Sequence, residues 1–314
     1  DTGIDYTKNV FRFEDGRSKI ISIWDQSIDG ERRSGLYYGA EYSREQIDAA
    51  LQSANPLEIV PSVDNDGHGT FLASVAAGSD TGDYIGAAPG AELVVVKLRR
   101  AEEYFINSLY LPPDKPNYFH NADVMLGIQY VFDRARELNL PMVICLGIGS
   151  NDAAHDGYTM FGEYISYLSQ RPGCAVICAA GNESNARHHT QGVLFRTGST
   201  DTISIRVGEA SASFSLNIFA AAYDKISVGL ISPSGEVISR VPFNVDVTTQ
   251  ENFIFEKTAV SITYYRAVNT VITIGFRDAK AGIWQVVLYG DSILGGEYHS
   301  WLPISYQVSP EVQF

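Results

Sequence analysis

Gly67-His68-Gly69-Thr70-Phe71-Leu72-Ala73-Ser74-Val75-Ala76-Ala77-Gly78 sets a glycine-flanked histidine directly against a run of small apolar residues. Glycine on each side lets the backbone turn tightly, so His68 can open a helix and face a cleft. The helix is predicted over Thr70 to Ala77, with Gly78 ending it. A histidine at a helix start is often only structural, and the flanking sequence decides otherwise here. Asp1-Thr2-Gly3-Ile4-Asp5 opens the chain, and Ala179-Ala180-Gly181-Asn182 closes a later apolar strand.

Nucleophilic acyl transfer needs a base, a carboxylate that orients the base, and donors for the oxyanion. His68, Asp1 and Asn182 are the candidates for those three chemistries. Asp-Thr-Gly alone is a weak signal. Aspartic proteases use the same triplet, with two carboxylates sharing one site, and a lone loop carboxylate is the plain reading of Asp1. Gly181-Asn182 alone reads equally well as a turn. The strength lies in the combination.

The 314 residues carry a net charge of −14. This disfavours nucleic acid or an anionic membrane as a partner and permits a basic substrate. No apolar run is long enough to span a bilayer, and no secretory leader is visible. Cys145, Cys174 and Cys178 form no disulfide framework and read as small hydrophobes in buried strands.

Up to about Gly192 the chain alternates apolar runs with amphipathic helices. Lys19–Trp24, Leu93–Leu98, Met142–Leu146 and Ala175–Ala179 read as strands. Helices are expected from Ser43-Arg44-Glu45-Gln46, a capping-box pattern, to about Gln52, then over Asp123–Leu138 and Tyr158–Leu168. Strands separated by helices of this length imply parallel βαβ units. After Gly192 the texture becomes short β-prone runs with turn signals, such as Thr202–Val207, Ser213–Ile218, Val260–Tyr265, Val271–Phe276 and Trp284–Leu288. Seven or eight such strands in about 110 residues suggest a β-sandwich or jelly roll.

Taken together, Asp1, His68 and Asn182, with Ile85–Leu93 and Val143–Gly149, resemble the corresponding blocks of the subtilisin-like serine proteases, the subtilases. A narrower resemblance is to the clostridial spore-germination subtilases. It is carried by Trp24-Asp25-Gln26, Gly149-Ser150-Asn151, His155-Asp156-Gly157, Asn182-Glu183 with His188-His189, and Trp301-Leu302-Pro303-Ile304. The resemblance implies an α/β fold. This is a partial subtilisin-like three-layer core with a parallel sheet over residues 1–192, an inserted all-β jelly-roll or β-sandwich domain over 193–304, and a return to the core from 305 to 314. It implies Asp1 and His68 as triad members, Asn182 as oxyanion donor, and the backbone of Gly147, Ile148 and Gly149 as the strand that pairs with a peptide substrate. It also implies a protein substrate, a cortex-lytic hydrolase precursor activated by limited proteolysis, and an N-terminal prodomain as a partner. A pseudoprotease or binding module acting in germination signalling is the alternative.

Two departures from the family pattern set further expectations. The strand before Asp1 and the helix bearing the catalytic serine are not in the sequence, so the piece is expected to be cut at both ends, with its nucleophile beyond Phe314, and to be inactive alone. Gly198-Ser199-Thr200 precedes a β run, so Ser199 is rejected as nucleophile. No cofactor is implied. Asp64-Asn65-Asp66-Gly67 starts like a calcium loop, but Val75 stands where its closing Glu would be, so calcium, common in the family, has no support here. His188 and His189 are expected on a loop near the cleft in preference to a metal site. The segment Arg99–Asn121 either rims the substrate groove or packs on the β domain. Trp284 and Trp301 are either core residues or a sugar platform.

Overall fold

The computed structural model describes residues 1–209 and 212–314, which form two compact units. The first comprises Asp1–Ala101, Pro116–Gly149 and Tyr164–Ala179; the second comprises Glu102–Lys115, Ser150–Glu163 and Ala180–Phe314.

Up to residue 179 the elements are β1 (Ile20–Asp25), β2 (Ala40–Ser43), α1 (Arg44–Gln52), α2 (His68–Ala77), β3 (Leu93–Lys97), α3 (Glu103–Ser108), α4 (Asn121–Leu138), β4 (Met142–Leu146), α5 (Met160–Ser169) and β5 (Cys174–Cys178). The expected capping box starts α1: Gln46 N–H donates to Ser43 Oγ, and Ser43 N–H donates to Gln46 Oε1 at 2.8 Å. His120 Nδ1 accepts Ala122 N–H at 3.1 Å to start α4. Left-handed Asn139 ends it before Pro141 blocks continuation.

Strand β1 pairs in parallel with β3 and antiparallel with β2, while β4 pairs in parallel with β5. The parallel βαβ reading therefore holds within each pair, but the strands make two sheets, β2-β1-β3 and β4-β5. The open edge of β3 instead carries the first residue, since Asp1 N donates to Val96 O and Leu98 N–H donates to Asp1 O. A core of Ile4, Tyr6, Phe11, Ile20, Ile23, Ile47, Ala50 and Val60 backs this sheet. The buried Lys19 ammonium donates to Ala77 O and Pro89 O, capping the C-terminus of α2, and burial holds its pKa below the ordinary lysine value.

In the second unit, β6 (His189–Val193), β8 (Ala212–Ala221), β11 (Thr248–Phe253), β12 (Thr258–Arg266), β13 (Asn269–Ala279) and β15 (Glu297–Trp301) form a six-stranded sheet ordered β11-β12-β13-β8-β15-β6. A second sheet is ordered β10-β9-β14-β7, with β7 (Thr200–Val207), β9 (Lys225–Ile231), β10 (Val237–Val241) and β14 (Gly282–Ser292). All neighbours are antiparallel. Alternate residues, such as Ile203, Ile205 and Val207 of β7 and Val260, Ile262 and Tyr264 of β12, enter one hydrophobic cluster shared by both sheets. Trp284 sits edge-on to Phe253 and Phe276 at 5.0 and 5.6 Å and donates its indole N–H to Lys280 O, which makes it a core residue. Trp301 is covered by imidazoles, stacking on His155 at 3.7 Å and on His189 at 4.0 Å.

Side chains tie earlier segments into the second unit. Asn151 Nδ2 donates to Leu302 O, and Tyr110 Oη is 2.6 Å from Ser261 Oγ. Residues 102–115 thus pack on the β sheets, with the Tyr110 ring over Gly275. Residues 305–314 belong to the same unit: Val308 and Val312 join its core, and Gln313 bridges to Arg206. The cysteines are not buried. Cys145 and Cys178 are exposed and Cys174 is intermediate, because among the described residues β4 and β5 pair only with each other and leave Val143 69% exposed. His189 begins strand β6, and His188 is buried just before it.

Replacing Trp284 by Ala should cost about 3–5 kcal/mol of stability through the cavity it leaves. The measurement is urea unfolding followed by circular dichroism; a loss below about 1 kcal/mol would mean that the aromatic cluster does not anchor the unit.

Candidate active site

His68 is the first residue of α2, and its Nδ1 lies 2.9 Å from Asp1 Oδ1. Three local features bring the two side chains together. Thr2 Oγ1 accepts Gly69 N–H at 2.9 Å, and Thr70 Oγ1 accepts Asp5 N–H at 2.8 Å, so two threonines stitch residues 1–5 to the first turn of α2. At Gly69 the helix backbone lies flush on the other segment; a Cβ there would overlap the Gly3 carbonyl. Thr2 N–H donates to Asp1 Oδ1 at 2.7 Å, which fixes the carboxylate plane.

Asp64 holds the N-terminus of α2. Its Oδ2 accepts Thr70 N–H at 2.9 Å and Thr70 Oγ1–H at 2.6 Å, and its Oδ1 accepts Gly67 N–H at 2.9 Å. Burial would push the Asp64 pKa up, but the hydrogen bonds from Thr70, Gly67 and Thr2 outweigh it and leave the carboxyl below its usual range. A carboxylate at this position also complements the positive end of the helix.

Gly147, directly after β4, closes the other side. A Cβ on it would overlap Leu72 and fall 2.8 Å from Asp1 Oδ2 and 3.3 Å from His68 Cε1. The structure therefore brings Asp1, His68 and Gly147 together, with Ile148 and Gly149 following in the same unit. Asp1 Oδ2 is buried without a hydrogen-bond partner. His68 is 44% exposed, and its Nε2 makes no hydrogen bond among the described residues. An imidazole whose Nδ1–H is held by a carboxylate offers Nε2 as a base toward a neighbouring hydroxyl.

Asn182 lies in the second unit, exposed in the segment after β5. Ser199 is turn material: its hydroxyl donates to Arg196 O at 2.7 Å. The sequence holds a second Asp-Thr-Gly, Asp80-Thr81-Gly82, and there Asp80 caps an exposed turn by accepting Gly82 N–H. Among the described residues no three His, Cys, Asp or Glu side chains gather as a metal-ligand set. No helix among them is long and apolar enough to cross a membrane. Asp64, Thr2 and Thr70 were missed as site residues by the sequence reading. For Asp64 the signal is an acidic loop start leading into the helix; the threonines bond across sixty-five or more residues and carry no local signal.

The family model that describes the subtilase family matches residues 1–240. The chain belongs to the subtilase family. Among curated relatives, the subtilase chain is 25% identical over 186 residues to the major intracellular serine protease of Bacillus subtilis (strain 168), covering 57% of this chain and 48% of that protein. Among solved structures, the Clostridium perfringens CspB protease superposes with a TM-score of 0.81 at 24% identity, covering 100% of this chain and 62% of that one. That likeness shows a shared fold. The chain thus spans about half the length of the curated subtilase relative and under two thirds of the solved one.

Thr70→Val removes a donor to Asp64 and the acceptor of Asp5 N–H, and should destabilise the protein by about 1–2 kcal/mol near neutral pH. A carboxyl with a depressed folded pKa stabilises above its unfolded value of about 3.9 and loses that contribution as pH falls through the folded value. The gap between wild type and variant should therefore narrow below about pH 4. Urea midpoints at neutral and acid pH test this, and a gap that widens with acid would refute the role given to Asp64.

Proposed function

We propose that this chain is part of a subtilase-type serine endopeptidase in which Asp1 orients His68, His68 serves as general base, and Asn182 donates to the oxyanion. The Asp1–His68 contact at 2.9 Å is the observation that carries the reading. The nucleophile would be a serine to which no residue of this sequence is assigned. Its hydroxyl proton passes to His68 Nε2 as the oxygen attacks a peptide carbonyl. The Asp1 carboxylate holds the imidazolium that forms, and the Asn182 amide stabilises the tetrahedral oxyanion, a contribution of about 3 kcal/mol to the barrier. His68 then returns the proton to the departing amine, and water repeats the sequence on the acyl-enzyme.

The backbone of Gly147, Ile148 and Gly149 is the proposed pairing strand for the substrate's residues ahead of the cut. Gly147 lies against both Asp1 and His68, so an extended peptide laid along this segment presents its carbonyl near the base. Residues 193–304 are proposed to be a jelly-roll or β-sandwich domain inserted into the protease core; the support is that this stretch supplies nearly all of the two antiparallel sheets. The substrate is proposed to be a protein precursor activated by limited cleavage during spore germination, with the prodomain as a further partner. The support is the narrower sequence resemblance and the fold shared with the CspB protease.

In the whole protein, a fluorophosphonate probe should label one serine, and His68→Ala should abolish the labelling. No labelling of the folded protein would overturn the enzyme reading in favour of a pseudoprotease. Asp1→Asn should lower kcat by about 10⁴-fold through the wrong imidazole tautomer while the fold persists. Steady-state kinetics on a peptide ester checks this, and a change of tenfold or less would remove Asp1 from the triad.

A further inference from the structure

His188 has no part in the dyad, yet it is one of the best-bound side chains near Asn182. It is 3% exposed, with Nδ1 2.7 Å from Glu183 Oε2 and Nε2 3.1 Å from Val312 O. A carboxylate and a peptide carbonyl are both acceptors, so the two contacts are hydrogen bonds together only when both ring nitrogens donate. Glu183 follows Asn182 directly, and its other oxygen, Oε1, accepts Ser305 N–H at 3.0 Å. Further bonds close the loop around this pair. Ala186 N–H donates to Glu183 O, Leu302 N–H to His188 O, and Phe314 N–H to Arg187 O.

We propose that Glu183 and His188 are positioning residues for Asn182, a pair of a half-buried carboxylate and a buried imidazole that clamps the oxyanion-donor loop onto residues 302–314. The proposal rests on the oxyanion role given to Asn182 above. The Asn182 side chain makes no hydrogen bond of its own among the described residues, so its placement depends on how its backbone neighbours are held. Gly181, at φ +84°, adds freedom on one side. Glu183, bonded at both oxygens, removes it on the other. An oxyanion donor contributes only when it is held in place before charge develops. A ring with a single proton would set a bare nitrogen against the lone pairs of an acceptor and open the clamp.

The ring state is read first, on this chain, by nitrogen-15 NMR of labelled histidine at neutral pH. Both His188 nitrogens should be protonated and both N–H protons slow to exchange; a ring with one bare nitrogen overturns the clamp. The positioning role is read on the whole protease. His188→Gln should lower kcat about tenfold to a hundredfold with KM little changed, as a displaced donor does. One Gln amide nitrogen cannot reach both acceptors. The double variant Glu183→Gln/His188→Gln should recover most of the loss, because its two amides pair donor to acceptor while still serving Ser305 N–H and Val312 O. Thermal unfolding of both variants separates folding from catalysis. A labelled, active protein in which His188→Gln leaves kcat unchanged, or in which the double variant is no better than the single, overturns the positioning role and leaves the protease reading intact. A folded whole protein that neither labels nor turns over overturns both.

Discussion

The dyad depends on two backbones meeting with no side chain between them. The 2.9 Å contact from His68 to Asp1 exists because the first turn of α2 lies directly on Gly3, and because the chain after β4 lies directly on both side chains. A Cβ at Gly69 would force those backbones apart by more than a hydrogen bond can stretch, and a Cβ at Gly147 would press on Leu72 and on the Asp1 and His68 side chains. The rest of the first unit supports that approach. Asp64 caps the front of α2 and Lys19 caps its back, so the helix bearing His68 is anchored at both termini by opposite charges matched to its dipole. Removing an apolar contact from the core behind it would loosen the sheet; a methyl at Gly69 would separate the Asp1 and His68 side chains themselves.

The second unit solves a different problem. Its core is ordinary sandwich packing, but its chain crosses repeatedly between two sheets, and each crossing leaves backbone N–H groups to satisfy. Buried or half-buried carboxylates do much of this. Asp224 accepts Leu294, Gly295 and Gly296 N–H, Glu236 accepts Ile254 and Phe255 N–H, Glu256 accepts Ser234 N–H, and Glu183 accepts Ser305 N–H. For Glu256, burial pushes the pKa up, yet the Ser234 and Ser232 bonds outweigh it and hold the carboxyl below its usual value. Part of the chain's acidity is therefore structural, spent on loop amides instead of on a charged surface that selects partners.

Long periodic elements and residues with local chemistry were legible in the sequence. The capping box at Ser43, the helix ahead of Pro141 and the alternating strands β7, β12 and β13 announce themselves within a few residues. Strands β6, β11 and β15 do not. His189–Val193 and Thr248–Phe253 are polar runs that become strands because a neighbour offers a ladder, which is tertiary context. Cysteine burial was misread for the same reason: apolar composition indicates a strand, while its exposure depends on what covers the sheet. At the site, His68 and Asp1 were readable by type and order. The stitching threonines were not, because a hydroxyl bond across sixty-five or more residues has no local signature.

The two parts of the proposed chemistry are therefore held by forces that fail differently. Asp1 and His68 are set by steric contact between backbones, which neither salt nor protonation of a surface group relaxes. On the proposed reading, Asn182 is set by a loop fastened through the half-buried Glu183 carboxylate and the buried His188 imidazole. Such a pair is costly to desolvate and gains its specificity from geometry: breaking one partner strands the other, so the loop has one well-bonded arrangement and few near alternatives. That suits an oxyanion donor more than a core residue. A packed apolar loop would hold its position within a tolerance set by van der Waals wells. A loop tied by short, directional bonds at Glu183 and His188 holds the amide beside them to hydrogen-bond tolerance, which is the tolerance that transition-state stabilisation requires.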